Sequence, residues 1–220
     1  EYASVPGKNL IPVSSKLKPE EWAAAPLVFL TAWHMLVTRG GLKAGESVLV
    51  QAGGSGVGSA AIQIAKLCGA TVFTTVGSEE KLKRARALGA NWVINYRKRD
   101  FAEEIGRLTE GRGVDLVFEH IGPATWRGSM KCLAKGGRLV TCGATTGPIV
   151  EIDLRFFFTK ELVIFGCYMG SRRELEEVLP LLEQGRLKPV VDTVFPLKEA
   201  AKAQHKMESR DFFGKLVLKV

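Results

Sequence analysis

The chain has 220 residues, 46% of them hydrophobic and 25% charged, with a formal net charge of +8. That length buries one substantial core, and the composition is globular, not disordered or fibrous. No apolar run is long enough to span a bilayer and residues 1–19 lack the apolar segment of a signal peptide, so a cytoplasmic protein with no membrane partner is expected.

The first residue is Glu1, not Met, as in a processed or partial chain. Lys and Arg total 31 against 23 Asp and Glu. The excess is spread along the chain without interleaved aromatic residues, so it reads as a solvated basic surface and nucleic acid is not the expected partner. Cys68, Cys132, Cys142 and Cys167 form no C-x-x-C pair and lie far in sequence from the three histidines. No metal site is expected from this chain alone, and the thiols read as small buried residues in a reducing compartment.

Residues 1–15 suggest short strands without partners. Residues 47–51 (SVLVQ) are a short apolar run, as in a strand buried on both faces. Val57, Ala61, Ile64, Ala65 and Cys68 then follow helical spacing, and Gly69 ends that helix. Residues 71–76 (TVFTTV) are β-branched and predict a second strand. Ser78 has the character of an N-cap, with Glu79 and Glu80 in the first turn of a helix closed by Gly89. Residues 92–95 predict strand three, followed by a helix from Asp100 to about Leu108. Residues 114–118 (VDLVF) predict strand four, 124–133 a helix, and 138–141 strand five after the turn Gly136-Gly137. Strand six is expected at 162–166, a helix at 173–182, a further helix at 197–208, and a last strand within 211–220. Strands and helices alternating at this interval imply an α/β fold, a doubly wound six-stranded parallel Rossmann sheet with right-handed crossovers and ligand sites at the strands' carboxyl ends.

The loop between strand one and its helix reads Ala52-Gly53-Gly54-Ser55-Gly56-Val57-Gly58. A helix N-terminus offers free N–H groups and partial positive charge, which suit a pyrophosphate, and glycines let the backbone come close to it. Gly58 falls where close helix–strand packing is required. Ser55 falls where the usual spacing has its middle glycine, so Gly54 or Gly56 is expected to make the tight turn.

Strand two ends in Gly77-Ser78 without the acid that commonly holds the ribose hydroxyls of NAD. Lys81, Lys83 and Arg84 follow, and Tyr96-Arg97-Lys98-Arg99 stands at the end of the next strand. A hydroxyl, a ring and several cations around one point suit a 2′-phosphate, so NADP(H) is favoured over NAD(H).

These motifs resemble the medium-chain dehydrogenase/reductase family, which includes zinc alcohol dehydrogenases and zinc-free quinone and enoyl reductases. The resemblance is carried by Glu1-Tyr2-Ala3 with Val5-Pro6, by Ala24-Ala25-Pro26-Leu27 and by Leu30-Thr31-Ala32-Trp33. It continues through the glycine loop, Gly77-Ser78-Glu79-Glu80-Lys81, Leu88-Gly89-Ala90, Asn95-Tyr96-Arg97 and Gly136-Gly137. It ends with Phe195-Pro196-Leu197 and Phe213-Gly214-Lys215. The resemblance implies three parts: residues 1–22, the remnant of a GroES-like catalytic domain; 23–190, the Rossmann NAD(P)-binding domain; and 191–220, a segment returning to the catalytic domain.

It further implies that Thr31 faces the nicotinamide end, that Ser55, Gly56, Val57 and Gly58 face the pyrophosphate, and that Ser78, Lys81 and Tyr96 hold the adenosine ribose and phosphate. Ile121 would lie near the adenosine ribose, and Gly143, Ala144, Thr145, Phe165, Gly166 and Cys167 near the nicotinamide, with Lys215 closing over the cofactor. The implied activity is hydride transfer between NADPH and a carbonyl or activated C=C of a small-molecule substrate, such as a quinone or enone. The implied assembly is a homodimer through strand six, with Phe156-Phe157-Phe158 suited to an apolar interface or to the core. No general acid is assignable: His34 and His120 read as structural. Where zinc members usually carry a Cys after Ala-Ala-Pro-Leu, this chain has Val28-Phe29-Leu30, so zinc is not expected. Two alternatives stand, part of a zinc alcohol dehydrogenase and a non-catalytic nucleotide- or nucleic-acid-binding module.

Overall fold

The computed structural model describes Tyr2 and residues 4–220. Six parallel strands form one sheet: β1 (Ser47–Val50), β2 (Thr71–Val76), β3 (Trp92–Asn95), β4 (Val114–Glu119), β5 (Leu133–Thr141) and β6 (Val163–Gly166). Their order is β3-β2-β1-β4-β5-β6. The chain winds outward from β1 to β3, returns to β4 and winds the other way. The reversal leaves a crevice at the carboxyl ends of β1 and β4. Val48 of β1 stands opposite Val72 of β2 and Leu116 of β4, which sets the register around that crevice.

The helices are α1 (Pro19–Ala24), α2 (Pro26–Trp33), α3 (Gly56–Leu67), α4 (Glu79–Ala87), α5 (Phe101–Leu108), α6 (Pro123–Lys131), α7 (Leu154–Thr159), α8 (Arg172–Glu183) and α9 (Ala200–Glu208). Side chains alternate across each strand and divide the interior in two. Val48, Val50, Val72, Leu116 and Phe118 pack under α2, α3 and α8 with Phe29, Ile62, Ile64, Val178 and Leu182. Leu49, Phe73, Val117 and Leu139 pack on the other face with Ile105, Trp126 and Met130 of α5 and α6. Each large side chain so buried contributes about 1.5–3 kcal/mol. These two layers hold the strand ends fixed beneath the candidate site.

A second unit closes the chain. β7 (Val191–Pro196) and β8 (Lys215–Lys219) pair in parallel and are joined through α9. This pair is fastened to the glycine loop of the first unit where Gly214 N donates to Gly54 O at 2.8 Å, and within the second unit Lys215 N donates to Val190 O at 2.8 Å. Asp192 is the hub of that attachment. It accepts hydrogen bonds from Arg84 Nη1 (3.0 Å) and Phe213 N (2.9 Å), and an ion pair from Lys206 Nζ (2.8 Å). Burial alone would raise its carboxyl pKa, but the hydrogen bonds from Lys206, Phe213, Thr193 and Arg84 outweigh it and hold the group well below the usual carboxylate range.

The structure corrects several sequence expectations. Among the described residues before position 16 there is no strand, only a single helical turn at Gly7–Asn9; Glu1 and Ala3 of the opening motif lie outside the described residues. The helix expected at 124–133 runs Pro123–Lys131, and β5 already begins at Leu133. Gly136, at φ 72°, makes an irregularity inside β5 in place of the turn expected before it. The helix expected from 197 begins at Ala200, after a tight turn at Leu197–Glu199. Helices α1, α2 and α7 and strand β7 were not anticipated. α2 carries apolar side chains nearly all round, with Val28, Phe29, Leu30 and Ala32 all buried, so it lacks the one-sided pattern that marks a surface helix. It continues as a π-helical stretch, His34–Arg39. Phe156 and Phe157 of α7 pack against the core, while Phe158 is exposed. No helix among the described residues is long and apolar enough to cross a membrane.

Candidate functional site

The glycine loop sits at the crevice and its conformation explains its letters. Ala52, at φ 49°, makes the left-handed turn that a glycine was expected to make. Thr75 Oγ1 steadies it by accepting from Ala52 N at 3.0 Å. Ser55 is therefore free to act as the N-cap of α3, its Oγ accepting from Gly58 N at 3.0 Å. A side chain on Gly58 would run into the carbonyl of Ala52, and a Cβ on Gly56 would lie 2.6 Å from Lys215 Cδ. The stem of Lys215 thus rests on the loop, and Phe213 packs beside Gly54.

At the end of β2, Ser78 caps α4, accepting from Lys81 N at 3.3 Å. Tyr96 and Arg97 arch over Gly77. A Cβ on Gly77 would lie 2.6 Å from the Tyr96 hydroxyl and 3.5 Å from Arg97 Nε. The structure thus brings Ser78, Tyr96 and Arg97 together, with Tyr96 half-exposed. The neighbouring charges are otherwise engaged. Glu79 accepts from Asn95 Nδ2 (3.0 Å) and pairs with Lys98 Nζ (2.9 Å). Lys81 Nζ donates to Arg210 O at 2.6 Å, and burial pushes its ammonium pKa down. Among the described residues, no carboxylate stands within ion-pair distance of Arg97.

The ends of β4 and β5 are held by a buried polar network. Glu119, fully buried, accepts at Oε1 from His120 N (2.9 Å), Ile121 N (2.7 Å) and Gly122 N (3.3 Å). Thr125 Oγ1 (2.9 Å) and Ser129 Oγ (2.6 Å) donate to its Oε2. Ser129 in turn accepts from Gln51 Nε2, and Gln51 Oε1 accepts from Thr75 Oγ1. The chain of bonds runs unbroken from Glu119 to the turn at Ala52. His120 Nε2 adds a second link, lying 3.1 Å from Gln51 O and 3.5 Å from Ser55 Oγ. Burial pushes the His120 pKa down, so this ring is neutral and donates to Gln51 O.

Ile121 O accepts from Thr146 N, and Thr145 Oγ1 donates to His120 O at 3.0 Å, which stitches Ile121 and the Gly143–Ala144–Thr145 loop together. Gly143 fits because a Cβ there would lie 2.8 Å from His120 O. Across the sheet, Phe165 and Gly166 end β6 and Cys167 follows; Arg39 stacks on Phe165 at 5.2 Å, and the space beside Gly166 is open. Thr31 is buried, its hydroxyl donated to Leu27 O at 2.7 Å. His34 Nδ1 donates to Glu174 Oε1 at 2.7 Å.

Sequence reasoning missed the Glu119 network and the seat of Phe213 and Gly214 on the glycine loop. An acid closing the apolar run VDLVF was the available signal, because a carboxylate there must be paired. Two surface clefts lie away from the crevice. One is bounded by Trp126, Met130, Ile152 and Phe156, the other by Asp100, Arg127 and Lys131. Among the described residues, no three His, Cys, Asp or Glu side chains converge as a metal site would require.

This arrangement can hold a dinucleotide along the carboxyl edge: pyrophosphate at the N-terminus of α3, a phosphorylated ribose at Ser78, Tyr96 and Arg97, and a flat ring between the ends of β5 and β6. The chain is similar to known dehydrogenases and reductases. A family model described as zinc-binding dehydrogenase matches residues 56–184. The chain is 31% identical to the crotonyl-CoA reductase of Streptomyces avermitilis over 98% of its own length, and spans 53% of that enzyme. It superimposes on a solved NAD-dependent alcohol dehydrogenase with TM-score 0.93 and 47% identity, covering 98% of this chain and 63% of that one. It superimposes on Escherichia coli quinone oxidoreductase complexed with NADPH with TM-score 0.87 and 32% identity, covering 94% of this chain and 67% of that one.

Proposed function

The chain belongs to the zinc-binding dehydrogenase group of the medium-chain dehydrogenases/reductases, and on that premise we propose that it is the cofactor-holding part of an NADPH-dependent reductase. The substrate class is a carbonyl or an activated C=C such as a quinone or enone. The bound dinucleotide supplies or accepts the hydride, and the protein binds and orients it. The observation that carries this reading is the grouping of Ser78, Tyr96 and Arg97 over Gly77, with no carboxylate at the end of β2 to repel a phosphate.

In this reading Ser55, Gly56, Val57 and Gly58 receive the pyrophosphate. Ser78, Tyr96 and Arg97 surround the ribose phosphate, Lys81 stands beside them with its ammonium on Arg210 O, and Ile121 lies near the adenosine ribose. Gly143, Ala144, Thr145, Phe165, Gly166 and Cys167 border the nicotinamide, with Thr31 behind it and Lys215 laid across the loop. Residues 1–22 and 191–220 are the parts that meet a catalytic domain, and the exposed edge of β6 is the surface for a second copy. Titration calorimetry tests the cofactor: NADPH binds more tightly than NADH, and Tyr96→Phe narrows the gap. Equal affinities of the unaltered chain for the two would overturn the reading.

A second reading, part of an NAD-dependent alcohol dehydrogenase, is favoured by the 47% identity to the solved structure of that description. The same titration separates the two.

A further inference from the structure

Two of the four thiols stand abreast. Val140 of β5 pairs with Phe165 of β6, and Thr141 with Gly166. The backbone stays in register one residue further, Cys167 N donating to Thr141 O at 2.8 Å. With a side-chain period of two, Cys142 and Cys167 fall on the same face as Val140 and Phe165, and both pack against the same core layer. Neighbouring strands lie about 4.8 Å apart, inside the roughly 4.4–6.8 Å between Cα atoms that a disulfide spans. Neither thiol is fully buried. Cys68 and Cys132 have no such neighbour: Cys68 caps α3, and Cys132 lies buried in the opposite layer.

We propose that Cys142 and Cys167 are a thiol pair that closes to a disulfide on exposure to a low-molecular-weight disulfide such as oxidised glutathione. The step is two exchanges. The Cys167 thiolate attacks one sulfur of oxidised glutathione and expels glutathione thiolate. The Cys142 thiolate then attacks the mixed disulfide at Cys167 Sγ and expels the bound glutathione. Two thiol protons pass to solvent, the protein loses two electrons, and one oxidised glutathione becomes two reduced ones. Cys167 is the first attacker because burial, which raises its pKa, is partly offset by the Arg39 guanidinium beside it. Cys142 has no such cation, and burial pushes it up to about 11. Both steps therefore quicken with alkalinity, about tenfold per pH unit below the thiol pKa.

The bond would lie between the β5 and β6 ends. If the cofactor reading above holds, that is where the nicotinamide is seated, and bound NADPH shields the pair. The test is incubation of the whole chain with oxidised glutathione at pH 7 and pH 8, followed by alkylation and peptide mass mapping under non-reducing conditions. Expected is a Cys142–Cys167 link, with Cys68 and Cys132 alkylated and faster closure at the higher pH. Cys142→Ser should accumulate glutathione on Cys167, while Cys68→Ser should close as the unaltered chain does. Alkylation of Cys142 and Cys167 after oxidation, or persistent glutathione on Cys167 of the unaltered chain, would overturn the pair. Saturating NADPH should slow closure at least tenfold. A link that forms at the same rate with NADPH bound, as confirmed by calorimetry, leaves the pair standing and removes it from the cofactor's seat.

Discussion

The ammonium of Lys81 donates to the carbonyl oxygen of Arg210 at 2.6 Å, tying the first turn of α4 to the segment just before β8. The nearest cation to Ser78 in sequence is thereby engaged elsewhere, and Arg97 is the guanidinium left beside Gly77. Arg97→Ala should weaken NADPH binding by about tenfold to a hundredfold, or about 1.4–2.8 kcal/mol, and leave NADH within about twofold. Calorimetric titration of both cofactors measures this. Equal losses for the two would mean that Arg97 does not meet the 2′-phosphate.

Glycine replacements in this chain should divide by their surroundings. Gly58→Ala drives a methyl into the carbonyl of Ala52, and should cost more than about 2 kcal/mol in urea unfolding together with the loss of cofactor binding. Gly106→Ala on α5 meets open space, and should stabilise by about 0.5–1 kcal/mol. A tolerated Gly58→Ala would show that the loop relaxes away from α3.

Much of this architecture was legible because the central strands are short apolar runs bounded by glycines and capping residues. Strands β2 and β3 fall at the predicted residues, Ser78 is the cap it was read to be, and Asp100, expected as the start of a helix, caps α5. What stayed hidden depends on contacts far apart in sequence. Nothing local in Ala52 announces a left-handed turn, since Thr75 holds it from the next strand. Helix α2, apolar nearly all round, has no amphipathic stripe to read. The engagement of Lys81 by Arg210 needed the fold of the last segment before it could be seen.

The Glu119 cradle predicts a sharp asymmetry between two conservative changes. Glu119→Gln puts an amide among five donors and should cost about 2–4 kcal/mol, read by chemical denaturation. Ser129→Ala removes one donor and should cost about 1–3 kcal/mol. An unchanged denaturation midpoint for Glu119→Gln would mean that the network carries no net stability.

Glu174 gives a pH-dependent test. Burial alone would raise its pKa, but hydrogen bonds from Ser171, Thr38 and His34 outweigh it and bring the carboxyl to about 2. A depressed value stabilises the fold above the unfolded pKa, about 4.3, and that stability drains away as pH falls towards the folded value. The unaltered chain should therefore exceed Glu174→Gln in unfolding free energy by on the order of 3 kcal/mol at pH 7. The difference should shrink steadily from about pH 5 to about pH 2. A gap independent of pH would place the effect of the substitution in packing rather than charge.

The hydrogen bond from Gly214 N to Gly54 O also has a kinetic consequence. It joins residues roughly 160 positions apart, a closure among the slowest that a chain of this size has to make. The glycine loop is therefore completed late. During synthesis the nucleotide-facing strands can pair and bury their cores while the loop that crowns them still lacks one wall, and that wall arrives only when Phe213 and Gly214 emerge.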